Sequence, residues 1–262
     1  HKPEGVKAGL VVNYTEERLL WLIRWTQEYL GTDVNRTYIE GTSMGGSGAL
    51  CMALHYPDQF AAVIAKVPVT AITDRGTGNL YRLEGICGPL DESVLTNEGI
   101  SLLDRMNGIM NVRKSRGDLP YIFICNGRKD PSIPWENNPP FYKILNEKRC
   151  GYEAYWDNGV HNMVNYLPED VKDWNKKLFQ FSLNKSYPSF SNCTLDKNPG
   201  NGDPTDGDLI GWINRGLNWD VITDEEDEYS IRIEAIGSAI TYPFYVDVTL
   251  RRLQKFIIDS TK

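Results

Sequence analysis

The sequence predicts an α/β fold: a mainly parallel sheet with helices on both faces, followed by a smaller C-terminal β-sandwich-like domain. Three observations carry this. Residues 60–67 and 121–125 are continuous apolar runs, the composition of strands covered on both faces. Segments with helical spacing alternate with those strands, as in a parallel sheet with crossover helices. After residues 182–188 the chain turns rich in Gly, Asp and Asn. It then alternates apolar and polar positions over 229–235 and 244–250, the pattern of antiparallel strands.

The expected elements follow in order. Residues 6–12 could supply at most one strand. Over 15–30, Leu19, Leu20, Leu22, Ile23 and Trp25 recur at helical spacing, with Thr15, Glu16 and Glu17 at the start and Gly31 as a stop. A strand over 34–40 and an Ala-, Leu- and Met-rich helix over 47–56, ended by Pro57, come next. Residues 68–119 are irregular and glycine-bearing, with one helix near 101–112; an insertion of this kind often lies over an active site. A helix over 140–149, a strand over 152–156 and a helix over 168–181 carrying Trp174, Leu178 and Phe181 complete a first domain, residues 1–184. The second, residues 185–262, falls short of the about 100 residues such sandwiches usually need, so it is expected to be incomplete at its end.

At 262 residues with 41% hydrophobic and 24% charged, the composition is that of a globular chain with a sizeable core. A net charge of −7 without a basic block speaks against nucleic acid as a partner, and no apolar run is long enough to span a bilayer. The oligomeric state is left open. Cys51, Cys87, Cys125, Cys150 and Cys193 form no C-x-x-C pair, which argues against a structural zinc site and a disulfide scaffold. A single Cys87–Cys150 or Cys150–Cys193 bridge stays open. Asn-x-Ser/Thr triplets at Asn35, Asn184 and Asn192 are compatible with secretion.

The chemistry centres on Gly41-Thr42-Ser43-Met44-Gly45-Gly46. A strand, a G-x-S-x-G turn and a helix in that order make a nucleophile elbow. The tight turn strains the serine backbone and lifts its Oγ clear of the sheet. Its flanks must be small where strand and helix nearly touch, a demand that Gly41, Gly45 and Gly46 meet.

A serine hydroxyl needs a base, and the base a carboxylate to orient it. Of the three histidines, His1 is terminal and His55 lies about three turns along the helix from Ser43, out of reach. His161 sits in a glycine-containing loop after a strand, at the carboxyl edge of the sheet where such folds build their sites. The acid is expected between Ser and His. Asp130 after the 121–125 strand is the first choice, with Arg128 and Lys129 helping to keep it ionised, and Asp157 is its rival.

These phrases, together with Tyr56-Pro57-Asp58-Gln59-Phe60-Ala61-Ala62, Asn126-Gly127-Arg128-Lys129-Asp130 and Asn158-Gly159-Val160-His161, resemble the α/β-hydrolase superfamily. The resemblance covers residues 10–182 and is strongest to its secreted esterase and prolyl-oligopeptidase-like branches. It implies Ser43 as nucleophile, His161 as general base and then acid, Asp130 as its orienter, and the Met44 amide as one oxyanion donor. It implies a secreted or periplasmic protein, and no metal or other cofactor. The family places several strands before the elbow, but only 42 residues precede Ser43 here, so N-terminal strands and the second oxyanion donor are expected to be missing.

The expected activity is hydrolysis of carboxylic esters, including carbohydrate-linked acetyl or feruloyl esters. The alternatives are a prolyl-oligopeptidase-like peptidase and a glycan-binding protein on a hydrolase scaffold. Two further features are open. Asp203, Asp206 and Asp208, set among turn residues, have the composition of a calcium loop without its EF-hand spacing. Trp212 and Trp219 are either sugar-stacking platforms or core residues.

Overall fold

The computed structural model describes residues 9–72, 78–87, 90, 94–203, 205–236 and 240–258. It opens with β1 (Gly9–Val11) and α1 (Tyr14–Leu30). The Asn13 side chain accepts the Glu16 N–H at the start of α1, and Gly31, at φ 65°, ends it in the left-handed conformation that suits glycine. β2 (Tyr38–Thr42) leads through Ser43 into α2 (Met44–His55), which stops one residue short of Pro57. β3 (Ala62–Lys66) follows.

The insertion between β3 and the next central strand holds α3 (Gly78–Cys87), β4 (Val94–Thr96), α4 (Leu102–Arg105) and α5 (Gly108–Lys114). The single helix expected near 101–112 is thus two. Asn107 sits between them in an extended conformation, and its side chain accepts the Met110 N–H, so a new helix starts there. β1 pairs in parallel with β4 and so belongs to this insertion, not to the central sheet.

β5 (Tyr121–Gly127), α6 (Asn138–Glu147) and β6 (Tyr152–Asp157) come next. The helix expected over 168–181 breaks at Asp173 into α7 (Glu169–Lys172), α8 (Trp174–Lys177) and a 3₁₀ turn. The remaining elements are strands: β7 (Tyr187–Ser191), β8 (Gly211–Ile213), β9 (Leu217–Asp224), β10 (Tyr229–Ala235) and β11 (Asp247–Arg251).

The central sheet runs β2-β3-β5-β6-β8, with the first four strands parallel and β8 antiparallel at the edge. Alternate residues of the buried strands feed two cores, as a sheet covered on both faces requires. Val63, Ile122 and Ile124 pack with Leu50 and Leu54 of α2 and Phe141 of α6. Ile64 and Phe123 pack on the other face with Trp174, Phe181 and Tyr187. On the β2 side, helix α1 leaves Leu19, Leu22 and Trp25 at 39%, 45% and 37% exposure, although their spacing marks them as a core stripe.

The C-terminal region forms two antiparallel ribbons, β9 with β10 and β7 with β11, around a small cluster that includes Phe190, Leu217 and Ile233. Residues beyond 184 also pack onto the central sheet. β8 extends the central sheet, Tyr187 is buried in its core, and Trp219 packs edge-on to Phe181 and tilted against Tyr187. Trp219 is therefore a packing residue. Cys51, Cys125, Cys150 and Cys193 are free thiols, so no Cys150–Cys193 bridge forms; the Cys87 side chain lies outside the described residues.

Candidate active site

Ser43 has φ 59° and ψ −121°, a backbone conformation that a side-chain-bearing residue adopts only when its surroundings force it. Backbone hydrogen bonds to both sides hold it there. The Ser43 N–H donates to the Lys66 carbonyl at 2.8 Å, and the Ser43 carbonyl accepts the Ser47 N–H at 2.9 Å. The strand and helix on either side of the turn touch. A Cβ added at Gly41 would lie 2.0 Å from the Gly45 carbonyl oxygen, and one at Gly46 would lie 2.5 Å from that of Lys66. Gly45 differs from expectation, since a Cβ there meets nothing within 4 Å.

The other two polar groups arrive from the neighbouring strand ends. Asp130 follows β5 and is buried; its Oδ1 accepts the N–H groups of Ser132 (2.7 Å) and Ile133 (3.1 Å). That leaves Oδ2 for His161 Nδ1, at 2.6 Å, while His161 Nε2 lies 2.7 Å from Ser43 Oγ. With the ring proton on Nδ1 facing a carboxylate, Nε2 carries the lone pair that accepts the serine O–H. The Ser132 and Ile133 amides have no sequence signature, being backbone donors.

Asp157, the rival acid, is used otherwise. Its Oδ1 accepts the Gly159 N–H at 2.7 Å and so shapes the loop that carries His161. The Gly159 carbonyl in turn accepts the Lys129 N–H, and a Cβ on Gly127 would lie 2.6 Å from it, so only glycine lets the end of β5 pass this loop. Arg128, two residues ahead of Asp130, reaches the turn-rich loop. Its guanidinium donates to the carbonyls of Asp206 and Asp208 and lies over the Trp135 ring.

Ser43 and His161 open on a cleft of about 610 Å³ between α1, α2 and the insertion. Met44 is the first residue of α2, where an N–H has no acceptor within the helix and can point at developing negative charge beside Ser43. Cys51 also lines the cleft, but burial, aided by the Glu16 charge, pushes its thiol up to about 12 and leaves it inert as a nucleophile.

His55 lies outside this constellation. It joins a buried polar cluster in which Arg105 donates to Glu16 at 2.7 Å, to the Tyr56 hydroxyl and to Glu98. His55 Nε2 lies 2.9 Å from the Arg105 carbonyl, and Nδ1 is 3.4 Å from Glu16. Burial works to raise the Glu16 pKa, but the hydrogen bond and charge of His55, the charge of Arg105 and the Tyr56 hydroxyl together hold it below the usual carboxylate value.

The turn-rich loop spends its carboxylates on its own backbone. Asp203 accepts from Thr205, Asp206 from the Asn201 N–H, and Asp208 from the Asn198 N–H. Among the described residues, no group of three His, Cys, Asp or Glu side chains is arranged to hold a metal ion. The cations of Lys197 and Arg215 each lie 5.3 Å from the centre of the Trp212 ring.

Residues 2–184 match the family described as Esterase, "Putative esterase". No curated protein matches the chain. Among solved structures, the chain is similar to an S-formylglutathione hydrolase from Agrobacterium tumefaciens, at 21% identity and TM-score 0.48, covering 63% of this chain and 56% of that one. It is also similar to an S-formylglutathione hydrolase from Staphylococcus aureus, at 20% identity and TM-score 0.44, covering 62% and 59%. A third similar structure is dipeptidyl peptidase 4 from Porphyromonas gingivalis, at 18% and TM-score 0.49, covering 63% of this chain and 22% of that one. The chain thus spans little more than half the length of the two hydrolases and about a fifth of the peptidase. With a family match over well over half its length, the chain belongs to the Esterase family.

Proposed function

We propose that the chain cleaves carboxylic esters with Ser43 as nucleophile, His161 as general base and then acid, and Asp130 as the group that orients His161. The observation that carries this is the unbroken bond chain Asp130 Oδ2–His161 Nδ1 and His161 Nε2–Ser43 Oγ, at 2.6 and 2.7 Å. In the first half-reaction, Ser43 Oγ attacks the ester carbonyl as its proton passes to His161 Nε2. The oxyanion is met by the Met44 N–H, and the proton then goes to the leaving alkoxide as the C–O bond breaks. Water repeats the sequence on the acyl-enzyme and releases the acid. Buried Asp130 stabilises the imidazolium formed midway without taking the proton.

The finer part of the proposal is that the esters are carbohydrate-linked acetyl or feruloyl esters and that the protein acts in a secreted or periplasmic setting. Support for sugar-linked substrates comes from the appended β-rich region and from an insertion whose α3 presents polar Arg82 and Glu84. The test is fluorophosphonate labelling followed by a substrate panel. Ser43 should be labelled and Ser43→Ala should not; labelling that persists in the variant places the nucleophile elsewhere. On p-nitrophenyl esters, acylated sugars and prolyl peptides, the esters should turn over first. Faster peptide cleavage overturns the esterase assignment.

A further inference from the structure

The cleft at Ser43 carries chemical information about the acyl group. His161 must stand beside the leaving oxygen to hand it a proton. It reaches Ser43 from the β6 side of the sheet, whereas Ser43 stands at the end of β2, with β3 and β5 between them. The leaving alcohol therefore lies toward His161, and the acyl group lies on the other side, toward β2, α1 and α2. The greater part of the cleft is there: Leu19 from α1, Ile39 from β2 and Met52 from α2 form its wall, and Ile72, Leu83 and Met106 from the insertion cover it.

All six of these side chains are apolar; beside Leu83, Arg82 also lines the cleft and adds a positive charge that disfavours a cationic acyl group. The carboxylates on the cleft surface are already engaged. Glu16 Oε2 takes the Tyr56 hydroxyl and Arg105, with His55 at its Oε1, and Glu40 is paired with Lys66 at 2.6 Å. Among the described residues, the cleft thus offers no unengaged carboxylate for the ammonium of an aminoacyl group. Placing an unpaired charge against this wall would cost its hydration without return. A formyl or acetyl group would leave most of about 610 Å³ filled by water against hydrocarbon.

We propose that the site selects esters by a bulky, uncharged, apolar acyl group of hexanoyl or cinnamoyl size, in preference to acetyl and to charged aminoacyl groups. This rests on Ser43 being the nucleophile, and within the proposed substrates it favours feruloyl over acetyl. The first ring or the first four added methylenes leave water for the wall formed by Leu19, Ile39 and Leu83. Each buried methylene strengthens binding in the transition state by up to about fourfold.

The test holds the alcohol constant and varies the acyl group: p-nitrophenyl acetate, butyrate, hexanoate and cinnamate, with p-nitrophenyl alaninate as the charged probe. Expected kcat/KM rises roughly threefold per methylene to hexanoate, so that hexanoate and cinnamate exceed acetate by at least about tenfold and alaninate is slowest. Leu19→Trp and Leu83→Trp fill the cleft from α1 and from α3. Both residues are partly exposed, and fluorophosphonate labelling of Ser43 reports whether each variant retains the elbow. In either variant that is labelled at the parent rate, the hexanoate-to-acetate ratio should fall at least fivefold. A parent enzyme that prefers acetate or alaninate, or a ratio unmoved in both labelled variants, overturns the acyl assignment while leaving Ser43 esterase chemistry intact. Absence of both labelling and turnover in the parent overturns the esterase assignment and this one with it.

Discussion

Asp130 and His161, 31 positions apart in the chain, meet at 2.6 Å between Oδ2 and Nδ1, and two backbone amides hold the other aspartate oxygen. The Ser132 and Ile133 N–H groups hold Oδ1, so the second oxygen has one orientation available. The carboxylate is thus set by the turn that follows β5 before His161 arrives.

The Asp130→Asn substitution should lower kcat by about three to four orders of magnitude, because an amide in place of Oδ2 favours the wrong ring tautomer of His161. Asp157→Asn keeps an oxygen acceptor for the Gly159 N–H and should cost less than about tenfold. Rate measurements on any ester the parent cleaves decide it; the reverse ranking would return the acid role to Asp157.

The two glycines next to the serine should behave oppositely. Gly41→Ala drives a Cβ to 2.0 Å from a backbone oxygen and should abolish fluorophosphonate labelling. Gly45→Ala enters open space, so labelling should persist, and its helical position favours alanine by up to about 1 kcal/mol. Equal loss in both would mean that contacts other than backbone crowding govern the elbow.

Arg105→Ala leaves the Glu16 carboxylate buried with a diminished set of partners. Urea unfolding should show a loss of about 3–5 kcal/mol, the usual cost of removing one member of a buried ion pair. Glu16→Gln in the same background should recover part of it, since the amide carries no charge to strand. A double variant no more stable than Arg105→Ala would remove the ion pair from the explanation.

Burial pushes the Asp196 carboxyl from 3.8 up to about 7, against one hydrogen bond from the Asn214 N–H. Between those values the native state holds a proton that the unfolded chain releases. The contribution of this group is therefore complete below about pH 4 and is lost as pH rises toward about 7. Asp196→Asn keeps the acceptor and removes the titration. Urea midpoints should favour the variant at pH 7.5 and converge with the parent at pH 4. A gap that does not change with pH would falsify the assignment.

What could be read in the sequence was local. The runs over 60–67 and 121–125 are apolar because both faces of β3 and β5 are buried, and the elbow is a strand, a turn and a helix within a single short stretch. Asp130 was accessible through chain order and its place after a strand. The Glu16–His55–Arg105 cluster was not, because its members lie 39 and 50 positions apart with no periodicity to connect them. β8 escaped for a related reason. Its three residues are too few to show alternation, and only pairing with β6 makes them a strand. Exposure of the α1 stripe was equally hidden, since spacing reports which residues share a face but not what covers it.

The family match ends at residue 184, but the scaffolding of the histidine side does not. Asp208 contributes its carbonyl to the Trp156 indole N–H at 2.8 Å and, with Asp206, anchors Arg128 two residues ahead of Asp130, while β8 occupies the free edge of β6. A gene trimmed at the family boundary would remove all three supports from the strand ends that deliver the acid and the base, yet leave the serine turn untouched. Such a fragment should keep its serine turn folded yet both react slowly with a phosphonate and turn over esters poorly. Kinetic comparisons between trimmed relatives would then measure where each gene was cut rather than how each enzyme works.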